Sequence, residues 1–110
     1  MRYGQKLERG VRPDVGKYRL SKLAEEDLLR IADYGDEQFG ILQSDRYRDQ
    51  LKQRFSALAE QPYLSQAVDD IREGFRRSVC GIHSIYYRLD EQGVEIMRVL
   101  GRQDTTNSFE

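Results

Sequence analysis

The sequence predicts an α+β domain: an N-terminal strand, an antiparallel helix hairpin packed on an antiparallel β-sheet, and a C-terminal three-strand meander. Apolar residues recur at helical spacing in two adjacent segments between Ser21 and Gln61. Three apolar-rich segments follow Asp70, and the links within each group are short enough for hairpins. A chain of 110 residues buries about two-thirds of its unfolded surface around one core. The reading is therefore one domain over residues 17–104, a flexible extension over 1–16 and a tail over 105–110.

Residues 1–16 mix Gly4, Gly10, Pro13 and Gly16 with Arg2, Lys6, Arg9 and Arg12, and show neither helical nor strand periodicity. Lys17 to Leu20 is a short strand candidate. Ser21 then stands as an N-cap, its hydroxyl placed to accept from an amide of the first helical turn. Glu25, Glu26 and Asp27 suit the positive end of the helix dipole, and Ala24, Leu28, Ile31, Ala32 and Phe39 mark one apolar face. Gly35 interrupts this helix at a cost of about 1 kcal/mol relative to alanine, which a close packing contact would explain, and Gly40 ends it.

A second helix is expected from near Ser44 to Gln61, with Tyr47, Leu51, Phe55 and Leu58 as its apolar stripe and Pro62 at its end. The short link makes the two helices an antiparallel hairpin, with Arg46, Arg48, Lys52 and Arg54 largely toward solvent. After a polar loop from Tyr63 to Asp70, strands are expected over Ile71 to Val79, Ile82 to Leu89 and Val94 to Leu100. Cys80-Gly81 and Asp90-Glu91-Gln92-Gly93 form their turns. Alternation puts Ile85, Tyr87 and Leu89 on the helices, and Ser84, Tyr86 and Arg88 on an open face.

Charge and composition exclude several functions. Lys plus Arg at 18 against Asp plus Glu at 19 gives a formal charge of -1, which is not the footprint of a dedicated nucleic-acid binder. The single Cys80 forms no intramolecular disulfide, and the single His83 does not by itself assemble a zinc site. No apolar run approaches the roughly 18 residues of a membrane span, and a reducing cytoplasm is the expected location. Phosphate-loop, dinucleotide-fold and metalloprotease motifs are absent, so no cofactor or metal is expected.

Chemistry concentrates on the late strands. Arg72, Arg76, Arg77, Arg88, Arg98 and Arg102 place six arginines within about thirty residues, and guanidinium groups pair with phosphates and carboxylates. Arginines on exposed strands also serve solubility alone. His83 is a candidate acid or base, or a hydrogen-bonding structural residue. Of Tyr86 and Tyr87, adjacent on a strand, at most one joins the open surface. The candidate binding residues are thus Arg76, Arg77, His83, Tyr86, Arg88, Arg98 and Arg102, with no catalytic residue assigned.

Three segments occur in a recognisable order: Asp70-Ile71-Arg72-Glu73-Gly74-Phe75-Arg76-Arg77, then Gly81-Ile82-His83-Ser84-Ile85-Tyr86-Tyr87-Arg88, then Ile96-Met97-Arg98-Val99-Leu100. Behind a helix pair of this length, from about Tyr18 to Asp104, they make the chain resemble the ParE toxins of the RelE/ParE superfamily. The resemblance implies a bacterial type II toxin that poisons DNA gyrase without turnover. It also implies a ParD-like antitoxin partner, through which operator DNA is reached only indirectly. Many relatives carry His where Gly101 stands here, and no Tyr or His follows Leu100. That departure weakens the alternative of a RelE-like ribosome-dependent messenger RNA endonuclease, for which His83, Arg76 and Arg98 are the candidates. An arginine is a poor base because it stays protonated. A third reading is an inert relative that keeps only the antitoxin-binding scaffold.

Overall fold

A computed structural model describes residues 17–101. Its elements are β1 (Tyr18–Leu20), α1 (Lys22–Phe39), α2 (Ile41–Glu60), β2 (Gln66–Ala67), β3 (Phe75–Cys80), β4 (His83–Asp90) and β5 (Gly93–Gly101). The α+β architecture matches expectation, with the helix hairpin laid on one face of a five-stranded sheet of order β1-β5-β4-β3-β2. The expected extension over residues 1–16, the tail over 105–110 and Arg102 lie outside the described residues.

The sheet is mixed where an antiparallel one is predicted, because β1 runs parallel to β5, pairing Tyr18 with Val94 and Leu20 with Ile96. The helix hairpin is the crossover that a parallel pair requires. Ser21 joins these parts. Its amide donates to Ile96 O at 2.9 Å, its hydroxyl donates to Met97 O at 2.8 Å, and the same oxygen caps α1 by accepting from the Ala24 amide at 3.0 Å.

Gly40 alone separates the helices, so α2 begins at Ile41, earlier than the polar spacing suggests. The predicted close contact at Gly35 is present: a Cβ there would lie 2.6 Å from Ser44 Oγ. Leu51, Phe55 and Leu58 are buried as the stripe predicts, against Ile85, Tyr87, Val94, Ile96 and Val99 of the sheet. Phe39, placed on the apolar face of α1 by spacing, is instead 56% exposed, because the hairpin's closed end projects beyond the sheet.

The strand predicted from Ile71 starts at Phe75. Residues 68–74 form a turn in which Val68 O accepts from the amides of Ile71 and Arg72, and Gly74 adopts φ 83°. This turn brings the short β2, unforeseen in the polar loop, antiparallel to β3 through Gln66–Arg77 and Ala67–Arg76. Its Val68 seals a second small core with Phe75, Tyr86 and Leu100 on the sheet face away from the helices.

Candidate functional site

The predicted arginine surface is divided between the faces of the sheet. Cys80 packs in the helix-side core and Phe75 in the opposite one, so alternation along β3 sends Arg76 to the helix side and Arg77 to the open side. Arg76 donates to Ser65 O at 2.6 Å and lies 4.8 Å from the Tyr63 ring centroid. Arg88, on the open side, meets Glu95 at 3.0 Å. Tyr86 is not part of an open aromatic surface: it is fully buried in the second core, as Tyr87 is in the first. With the helices on one face and Val68, Phe75 and Leu100 packed on the other, the sheet has room for a buried ring on each side.

Arg98 is held by a bulge. Tyr86 pairs with Arg98 and Tyr87 with Ile96, leaving Met97 as an extra residue of β5. The bulge resets the alternation, so that Ile96 and Val99 both reach the helix-side core. Arg98, next to the extra residue, reaches Asp27 of α1, donating from Nε to Oδ2 at 2.9 Å and from Nη2 to Oδ1 at 3.0 Å. The Val99 amide adds a bond to Oδ2 at 2.9 Å, and Arg30 reaches Oδ1 at 2.6 Å. Burial opposes ionisation of Asp27, but the bonds from Arg98, Val99 and Arg30 outweigh it and hold the carboxyl below its ordinary value.

His83 opens β4 beside the Tyr47 hydroxyl, with Nδ1 at 2.7 Å. The same hydroxyl donates to Cys80 O at 3.1 Å and accepts from the Ile82 amide at 3.2 Å. One proton and two lone pairs serve all three partners when Nδ1 carries its hydrogen. Burial pushes the phenol above its ordinary value, keeping this donor in place at neutral pH. Gly81 makes room: a Cβ there would lie 2.6 Å from the Tyr47 ring, and its φ of 60° suits glycine.

These placements do not assemble the trio His83, Arg76 and Arg98 into a nuclease centre. His83 is four residues along β4 from Tyr87, the partner of Arg76, a span of about 13 Å at strand rise. The Arg98 guanidinium is tied to Asp27, with its side chain only 15% exposed.

A groove of about 1210 Å³ opens where the hairpin projects past the sheet. Its walls are the C-terminal half of α1, the start of α2 and the β3–β4 turn, with Ile31, Tyr34, Ile41 and Ile82 among its lining residues. Tyr34, Ile41 and Ile82 are 58%, 65% and 73% exposed, respectively, so this end presents large apolar side chains to solvent.

Residues 18–105 match the family described as ParE toxin of type II toxin-antitoxin system, parDE. This chain belongs to the ParE toxin family. It is 37% identical over 83 residues to Toxin ParE1 of Caulobacter vibrioides, covering 76% of this chain and 85% of that protein. It is also 32% identical over 85 residues to Toxin ParE1 of Mycobacterium tuberculosis, covering 76% and 87%. The solved chromosomal ParDE TA system from P. aeruginosa contains a chain that superposes with a TM-score of 0.68 at 15% identity. That match covers 76% of this chain and 92% of the other, and speaks for the fold alone.

In this ParE chain Gly101, the residue after Val99-Leu100, is buried at the end of β5 and lines the groove. Sequence reading missed three polar anchors. Asp27 appeared only as a helix-start acid, although it shares the face of Ala24 and Ile31, where a carboxylate asks for a buried partner. Spacing along α2 puts Arg54 and Arg48 largely toward solvent. Arg54 instead donates to Ser78 Oγ at 2.8 Å and Val79 O at 2.7 Å, joining α2 to β3. Arg48 bonds Ser44 Oγ at 2.6 Å within the hairpin. Sequence carried no local signal for either, since both lie among other charges.

Proposed function

We propose that this ParE toxin acts in the cytoplasm by binding DNA gyrase, without enzymatic turnover, and that a ParD-like antitoxin neutralises it. The observation that carries the non-enzymatic reading is the commitment of its candidate acid-base and phosphate-binding groups to the fold. Arg98 is bonded to Asp27, Arg76 to the Ser65 carbonyl and His83 to Tyr47, at separate places on the sheet. A general acid or base must reach its substrate's proton directly or through one water. The projecting apolar end supports binding instead, since exposed contiguous apolar surface on a small domain marks a protein interaction site. An antitoxin segment that orders on docking suits such a surface.

The test is a gyrase supercoiling assay with antitoxin-free protein, scoring loss of supercoiled plasmid and trapped cleaved DNA. Dose-dependent inhibition with linear DNA accumulating is the expected result. Folded protein that leaves gyrase untouched but cuts messenger RNA on translating ribosomes would overturn the reading.

A further inference from the structure

The groove at the projecting end of the hairpin is acidic as well as apolar. Asp33 and Glu37 stand one turn apart on its α1 wall, both exposed, flanking Tyr34. The last turn of α1 carries no basic residue, so these carboxylates lie toward the end of a helix whose dipole already disfavours negative charge. The nearby cations already have carboxylate partners: Arg30, itself in the groove wall, pairs with Asp27, and Arg48 pairs with Asp36 and Asp45. Among the described residues no cation pairs with Asp33 or Glu37.

The apolar lining belongs to the same groove. Ile31 and Tyr34 face it from α1, Ile41 from the start of α2, and Ile82 from the β3–β4 turn, whose backbone the Tyr47 hydroxyl fastens. Residues 30–37 of α1 run for about 10 Å at helical rise, the length over which a docked helix presents anchors at i, i+3 or i+4 and i+7. An acidic segment would be repelled here.

We propose that this groove receives a helical segment of the antitoxin that is apolar on one side and carries Arg or Lys along the edge meeting Asp33 and Glu37. The proposal rests on the antitoxin reading above and gives the partner segment a charge opposite to the one that an arginine-rich surface would select. Docking covers the exposed isoleucines and tyrosine, and it supplies the cations that the end of α1 lacks.

The test uses the full-length chain and the full-length antitoxin encoded beside it, purified separately and titrated calorimetrically at low and high salt. Asp33→Lys combined with Glu37→Lys is expected to weaken binding about tenfold or more at low salt, a gap that narrows at high salt as screening shortens the reach of surface charge. Ile82→Asp, at an exposed position, is expected to weaken it at least about thirtyfold as an apolar anchor is lost. Lys52→Glu, an exposed reversal on α2 outside the groove lining, should stay within about twofold of the wild type. Wild-type affinity in either groove variant overturns the proposal while leaving the antitoxin reading intact. Absence of any complex with the wild-type chain overturns both. A wild-type dimer in sedimentation that Ile82→Asp converts to monomer assigns the groove to a second copy and also overturns the proposal.

Discussion

Asp27 on α1 and Arg98 on the bulge of β5 form a two-point ion pair that links the first helix to the last strand, across 71 positions of chain. Asp27 is fully buried and the Arg98 side chain is 15% exposed. Removing one partner of such a pair leaves an uncompensated charge in the interior, at a cost of about 3–5 kcal/mol. Asp27→Asn is therefore expected to lower the melting temperature by about 12 °C or more, given roughly 4–8 °C per kcal/mol in a domain of this size. Thermal unfolding followed by circular dichroism measures it. A shift of only a few degrees would mean that Arg98 finds other support.

The same pair sets a pH dependence. Because the Asp27 carboxyl is held below its ordinary value of 3.8 in the folded chain, the unfolded chain takes up this proton first as pH falls. The stabilisation is fully present well above 3.8 and is lost as pH drops through the lower folded value. Urea unfolding of wild type and Asp27→Asn should show a constant difference from about pH 7 to 5, narrowing from about pH 4 downward. A difference that widened in acid would show that the native state binds the proton more tightly.

Tyr47 and Gly81 lock the β3–β4 turn against α2. Gly81→Ala introduces a Cβ at 2.6 Å from the Tyr47 ring at a φ of 60°, so ring and turn must separate. A loss of about 2 kcal/mol or more in chemical denaturation is expected from overpacking and left-handed strain together. Tyr47→Phe keeps the ring and leaves the Ile82 amide and Cys80 carbonyl without the hydroxyl, for an expected loss of about 1–3 kcal/mol. Both variants should also broaden the Ile82 amide resonance, and an unchanged Ile82 signal would argue against the lock.

The helix hairpin, the meander and the Gly35 contact were legible because each is written in local spacing: Tyr47, Leu51, Phe55 and Leu58 recur at helical intervals, and Gly81 and Gly93 punctuate the strands. The parallel pairing of β1 was not, since three residues carry no mark of which edge they join. Tyr86 and Arg98 illustrate the remaining limit. Strict alternation assigns Tyr86 to an open surface, but Val68 of the loop before β3 covers that surface together with Phe75 and Leu100, through contacts remote in sequence. An extra residue at Met97 then breaks the period on β5, and Arg98 beside it is bonded to Asp27. The apolar groove was hidden for the opposite reason. Phe39 reads as part of the apolar face of α1 by its spacing, and only the overhang of the hairpin beyond the sheet exposes it.

Separation of the arginines by face makes their roles distinguishable. Arg77 and Arg88 share the open side, whereas Arg76 on the helix side is bonded to Ser65 O and Arg98 is bonded to Asp27 of α1. Arg77→Glu with Arg88→Glu reverses exposed or half-buried charges and adds repulsion at Glu95, so stability should fall by only about 1 kcal/mol. If the open face meets either partner, this pair of reversals weakens gyrase inhibition or antitoxin binding by about tenfold, in line with loss of charge complementarity at an interface. Growth arrest on induction and calorimetric titration with the antitoxin read the two effects separately. Wild-type behaviour in both assays would make Arg77 and Arg88 solubility residues and leave the projecting end of the hairpin as the surface that binds.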